Sequence, residues 1–230
     1  MIGARNFQVS ADMDEQEFLD RLRLHADDTV DFLGEKRKAE RERATCVALL
    51  RCLGIQFQVD EIAAAKIQPP DVLFREARFE IREVLDWGRR RHDEWKAEAK
   101  RWKRAVSLKA LLQRYRPAYP IAYRNLATLI TEALGEKAQR YGNECANLDA
   151  PVHVNLRNSF LDPSSPVHGY EQLTAQGWRS VSILMPPYAH VLHATPRAPS
   201  FLAGLVCQLK GEWPDLDGLF VIGNVNSANP

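Results

Sequence analysis

Cysteine is scarce in this chain: Cys46, Cys52, Cys145 and Cys207 are scattered, with no CxxC pair among them. That spacing supports neither a disulfide framework nor a zinc site. Long apolar runs are also missing, and none approaches the roughly 20 residues of a membrane span. The opening MIGARNFQVSADMDEQEF lacks the basic-then-apolar pattern of a signal peptide, so a soluble protein of the reducing cytoplasm is expected. There is no GxSxG, no GxxxxGK[ST] and no strand-borne GxGxxG, which disfavours serine hydrolases, P-loop ATPases and dinucleotide oxidoreductases. No HExxH or HxH joins His153, His168, His190 and His193. Positions three apart on a strand, such as His190 and His193, face opposite ways. No helix-turn-helix or RRM signature points to a sequence-specific regulator.

What is present is a globular composition, 45% hydrophobic and 27% charged in 230 residues, enough to bury a substantial core. The formal charge of +1 hides an asymmetry. Residues 1–35 carry nine acids and three bases, whereas residues 36–116 carry 21 bases and 12 acids. A basic middle beside an acidic arm suits a polyanionic partner. The same charges alternate in sign along helices, and a merely solvated face is the competing explanation.

Residues 12–53 read as two helices with a break near His25–Thr29, the first capped by Asp12 or Ser10 and the second stopped by Gly54. GIQFQVDEI alternates with the period of a strand. DVLF and FEIREVLD read as two more strands, followed by a polar helix from Gly88 to about Tyr115 and another over Ile121–Ala138. The last third holds candidate strands at Val152–Leu156, Ser180–Met185, His190–His193 and Leu219–Gly223. The order predicts an α/β or α+β fold with a small mixed sheet. The expected organisation is an acidic helical arm over residues 1–30 and a single α/β domain over 31–230, rich in Pro and Gly from about 150.

The chemistry-bearing constellation is Pro70-Asp71 at the opening of one strand and Glu80-Ile81-Arg82 in the next. Two carboxylates on adjacent strands can hold a hard divalent cation, and a cation two residues after the second lies on the same strand face. This pattern resembles the PD-(D/E)xK nuclease superfamily, with the restriction-endonuclease-like fold of a helix followed by three strands. The upstream AERER, Ala39–Arg43, resembles the helix of archaeal-type Holliday-junction resolvases. The run Gly34–Trp87 further resembles an uncharacterised bacterial family of candidate endonucleases.

The resemblance implies a divalent-metal-dependent endonuclease acting on DNA. Asp71 and Glu80 would hold Mg²⁺ or Mn²⁺, Glu40 would support the metal (Glu35 is a second candidate), and Arg82 would stabilise the phosphate or orient water. The superfamily usually carries Lys where this chain has Arg82, and Arg cannot give up its proton as a buried Lys can. Glu83, on the opposite strand face, would replace Glu80 only across a bulge. Arg89, Arg90, Arg91 and Lys96 are candidate phosphate contacts. His92 is a further site candidate, and Trp87 or Trp95 could stack on a base, although inward packing is the expectation for the tryptophans. Nucleases of this fold often act as dimers, so a homodimer is also considered. Two alternatives stay open: a catalytically inactive module of the same fold that binds nucleic acid or protein, and a protein-interaction domain in which the acidic arm pairs with the basic middle.

Overall fold

The computed structural model describes residues 13–113, 116–167, 170–206 and 208–211. Within these the chain divides into two compact units, one of residues 13–41 and 88–116, the other of 42–87 and 117–211. This differs from an arm followed by a single domain, because the polar segment after Trp87 groups with the acidic N-terminal helix.

In the first unit, α1 (Glu15–Phe32) starts where the Asp14 side chain accepts the Glu17 N–H at 2.7 Å. Asp12 and Ser10, the expected caps, lie outside the described residues. The expected break near His25–Thr29 does not occur. That stretch has no Gly or Pro, and the Thr29 hydroxyl donates back to the His25 carbonyl at 2.8 Å, so the helix runs on to Phe32. A 3₁₀ turn at Glu35–Arg37 leads into α2 (Lys38–Cys52), whose first residues, to Arg41, belong to this unit.

The unit's other helix is α3 (Arg91–Arg104). It begins with Asp93 and Glu94 and ends with Arg101, Lys103 and Arg104, charges that suit the helix dipole at each end. Arg23 of α1 donates to the carbonyls of Trp102 at 3.3 Å and Ala105 at 2.7 Å, satisfying acceptors at the α3 terminus. Glu15 accepts the Leu108 N–H at 2.7 Å, and Lys103 pairs with Asp27 at 2.7 Å. The acidic helix is therefore packed on the basic one.

The second unit takes the rest of α2, where Ala44 to Leu50 are buried without interruption. Gly54 stops that helix at φ +72°, with Ile55 N–H on Leu50 O and Gly54 N–H on Arg51 O. This pair of bonds is a Schellman motif. Its strands and helices then follow as β1 (Ile62–Ala64), β2 (Val72–Phe74), β3 (Ala77–Phe79), β4 (Arg82–Leu85), β5 (Tyr119–Ile121), α4 (Tyr123–Tyr141), β6 (Asp149–Asn155), β7 (Ser159–Leu161), α5 (Glu171–Ala175), β8 (Ser180–Met185), β9 (Tyr188–Ala194), α6 (Ser200–Ala203) and β10 (Leu209–Gly211).

The main sheet is mixed, in the order β1-β2-β3-β6-β8-β9-β10, with β4 also on β6. The β3–β6, β4–β6 and β6–β8 pairs are parallel and the rest antiparallel. β5 and β7 form a separate parallel pair. β8 is buried along its length and β6 up to its last residue, as expected for central strands covered on both faces. Tyr123, Leu126, Ile130 and Leu134 of α4 pack with Val84, Val152, Ile183 and Trp178 in the core.

The strand expected at Ile55–Val59 does not form. Ile55 and Phe57 are half-buried and Gln56 and Gln58 exposed, but Gln58 and Glu61 make a capping box that opens a 3₁₀ turn at Val59–Glu61. Pairing begins only at Ile62. The strand expected at Leu219–Gly223 lies outside the described residues. Among the described residues no helix is long and apolar enough to cross a membrane.

Candidate active site

FEIREVLD, expected as one strand, is interrupted after Phe79. The register is unbroken, with Phe79 opposite Asp149 and Arg82 opposite Val152, so Pro151 falls opposite Ile81. Proline has no N–H to continue the ladder. The Ile81 N–H donates to the Asp71 carboxylate at 2.9 Å. Asp71 is itself fixed at the head of β2 by two backbone bonds of 2.9 Å, its N–H to Phe79 O and its carbonyl from Ala65 N–H. Asp71 and Glu80 are both buried, at 5% and 2% exposure, and one peptide group connects them.

Glu80 meets α4. Its Oε1 accepts from the Lys137 ammonium and from the Tyr141 hydroxyl at 2.8 Å. Lys137 also donates to the Ile81 carbonyl at 3.1 Å. The other oxygen, Oε2, is buried and has no hydrogen-bond partner among the described residues. Burial and the bond to the charged Glu80 raise the Tyr141 pKa, against the opposing influence of Arg140, so the phenol stays a donor. Lys137 is the residue that strand-based reading misses. Its signal is on α4 itself: Ile130, Leu134, Lys137 and Tyr141 recur at helical spacing, so a lysine sits on the apolar stripe.

Arg82 shares a face with Glu80, as strand alternation requires, but its guanidinium reaches Glu136 of α4 at 3.9 Å, and its Nε is buried with no hydrogen-bond partner among the described residues. Glu83 is on the other face, 3.6 Å from His153 and accepting from Asn155 at 3.1 Å. A third buried carboxylate, Asp149, is a brace: it accepts from Arg179, from Ser180 Oγ at 2.7 Å and from the Arg78 N–H at 3.0 Å.

The remaining candidates, apart from Trp87, belong to the first unit. Arg37 forks onto both oxygens of Glu40, at 2.5 Å from Nε to Oε2 on one side. Glu35 lies exposed in the preceding 3₁₀ turn. Arg89 is largely buried and bound to both oxygens of Glu94, whereas Arg90 and Lys96 are exposed and Arg91 and His92 are half-buried. Trp95 and Trp102 make an edge-to-face pair at 5.9 Å, with His25 against Trp95 at 6.3 Å, so these two are turned inward as expected. Trp87, in the second unit, contradicts that expectation and is fully exposed.

Among the described residues no set of three or more His, Cys, Asp or Glu side chains is arranged to hold a metal ion. Asp71 and Glu80 are hard oxygen donors of the type Mg²⁺ and Mn²⁺ take, and the unpartnered Glu80 Oε2 is an acceptor with a lone pair to give. A cation here would have two protein carboxylates and complete its shell with water and phosphate oxygens, the usual habit of Mg²⁺.

A protein of unknown function from Pseudomonas aeruginosa strain PAO1, described as belonging to the monooxygenase superfamily, is similar in structure at a TM-score of 0.62. It is 31% identical, and the match covers 87% of this chain and 97% of that one. No curated protein matches the chain. Residues 14–210 match a family model, and the chain belongs to that family, described as "Putative endonuclease, protein of unknown function (DUF1780)".

Proposed function

We propose that the second unit is a metal-dependent phosphodiesterase that cuts DNA at Asp71 and Glu80, built on a restriction-endonuclease-like core. The observation that carries this reading is the buried pair of carboxylates joined through the Ile81 N–H, with Glu80 clamped by Lys137 and keeping one oxygen unpartnered. The order α2, β1, β2, β3–β4 supports it, being the helix followed by three strands that the resemblance implies. The family description and the Pseudomonas neighbour's superfamily suggest different chemistries. Two buried acids, Asp71 and Glu80, with the Lys137 ammonium on one of them, suit a phosphate group, which favours the endonuclease description.

In this reading Asp71 and Glu80 would hold the cation, and Glu40, which Arg37 occupies, is not required. The metal, when bound, supplies a Lewis acid for the phosphate and lowers the pKa of a water. Lys137 supplies the positive charge that the superfamily carries in the strand, positioned to stabilise charge building on the phosphate. Tyr141 holds Glu80 in its rotamer. Arg82, drawn toward Glu136, serves as an outer cation for the substrate.

The test is cleavage of supercoiled plasmid, linear duplex and single-stranded DNA with Mg²⁺ or Mn²⁺, alongside Asp71→Asn and Lys137→Met. Metal-dependent cutting that disappears in both variants is expected. Wild-type protein that binds DNA without cutting it under either metal would overturn the catalytic reading in favour of an inactive binding module.

A further inference from the structure

We propose that one face of α3, carrying Lys96, Lys100 and Arg104, is a docking track for the phosphate backbone of duplex DNA. The proposal builds on the nuclease reading by naming where the substrate is held. Of the expected phosphate contacts Arg89, Arg90, Arg91 and Lys96 it keeps Lys96, and it runs from there along α3 to Lys100 and Arg104.

Residues four apart on a helix lie nearly in line, about 6 Å apart along the axis. Lys96, Lys100 and Arg104 therefore form a stripe about 12 Å long. All three are exposed, and none has an ion-pair partner among the described residues. Their neighbours differ. Arg89 is held by Glu94, Arg101 by Glu98 at 2.6 Å, and Lys103 by Asp27. The acids of α3 lie mostly away from the stripe: Glu94 and Glu98 are engaged with arginines on the other side, and Asp93, near the N-terminus, is the acid that falls on the stripe's face.

The acidic helix α1 is the obvious internal competitor for these cations. Its position in the unit is set by other contacts, namely Arg23 on the Trp102 and Ala105 carbonyls and Glu15 on the Leu108 N–H. Its ion pair to α3 uses Lys103. Asp27 thus neutralises Lys103, while Lys96, Lys100 and Arg104 stand in solvent.

The choice of duplex over single strand comes from the aromatic residues. Non-specific single-strand binding combines cations with exposed rings on which bases stack. Here Trp95 and Trp102 are paired with each other on the opposite side of α3. Trp87 is exposed but precedes the helix, and a row of cations with no exposed ring on the same helix suits a regular backbone, positioning it without reading sequence.

The experiment measures fluorescence anisotropy of a labelled 20-base-pair duplex with the full chain, in chelator so that no cutting occurs, over a range of salt. The variants are the triple Lys96→Glu/Lys100→Glu/Arg104→Glu and the charge-keeping Lys96→Arg/Lys100→Arg, each checked for an unchanged melting temperature. The triple change should weaken binding by about 100-fold at 0.1 M salt and reduce the slope of log K against log salt by about 2.7, at ~0.9 per phosphate contact. The arginine variant should bind like wild type. Unchanged affinity and slope in the triple variant would overturn the track. So would a loss of binding in the arginine variant, or a preference for anionic phosphatidylserine vesicles over DNA. Because the assay contains no metal, its failure is distinct from failure of the nuclease reading, which the cleavage assay measures separately.

Discussion

Lys137 in the second unit and Lys100 in the first have the same side chain in opposite surroundings. Lys137 is mostly buried and fixed to Glu80 and the Ile81 carbonyl. Lys100 stands in water on α3. A charge withdrawn from water needs a permanent partner, and losing that partner leaves the other charge stranded. An exposed charge contributes little to folding and is available to a partner that comes and goes. In the proposed reading, this contrast separates the chemistry from the hold on a substrate.

The largest expected effect comes from breaking the buried pair. Lys137→Met should destabilise the protein by about 3–5 kcal/mol in denaturant unfolding, because Glu80 is left buried without its counter-charge. Adding Glu80→Gln to that variant should recover much of the loss. If the single variant is as stable as wild type, the clamp is not a buried ion pair and the contrast fails.

Next is a pH effect centred on His190 of the second unit. His190 is fully buried against the Tyr123 hydroxyl, at 2.8 Å, and burial lowers its pKa to about 4. Its folded pKa lies below its unfolded value near 6.5, so the neutral ring's contribution is complete above about 6.5. It is lost as pH falls toward about 4, amounting to roughly 3 kcal/mol. Unfolding free energies measured between pH 7 and pH 4 should show this slope in wild type and a flatter one in His190→Phe.

Tyr141→Phe removes a hydrogen bond to a charged group and should cost about 1.5–3 kcal/mol by the same unfolding measurement. It should also slow cleavage less than Lys137→Met does. At the small end, Lys96→Glu, Lys100→Glu and Arg104→Glu should each change stability by no more than about 0.5 kcal/mol, as surface substitutions do. A large destabilisation from any of them would mean that the stripe is part of the unit's own packing.

The carboxylates were legible in the sequence because they sit in a local pattern: Asp71 follows a diproline, and Glu80 lies on the next strand at a short interval. The mixed sheet, the stop at Gly54 and the helix of α4 were legible for the same reason, since turn chemistry and periodicity act over a few residues. Lys137 was not, because it reaches Glu80 from 57 residues further along. Only its place on an apolar stripe marked it. The interruption at Ile81 falls opposite Pro151, a strand partner 70 positions away. The division into units was hidden likewise: α1 and α3 are separated in sequence by the whole β1–β4 segment, and their packing rests on the non-local bonds of Arg23 and Glu15.

In the proposed reading Glu80, held by Lys137, works on phosphodiesters. The measurement to make is nicking of supercoiled plasmid with Mn²⁺ by wild type and by Glu80→Gln, compared at equal folded fraction. Wild type should convert supercoiled plasmid to the nicked form and Glu80→Gln should not. Equal cutting by the two proteins would contradict it, since the reacting site would then lie elsewhere.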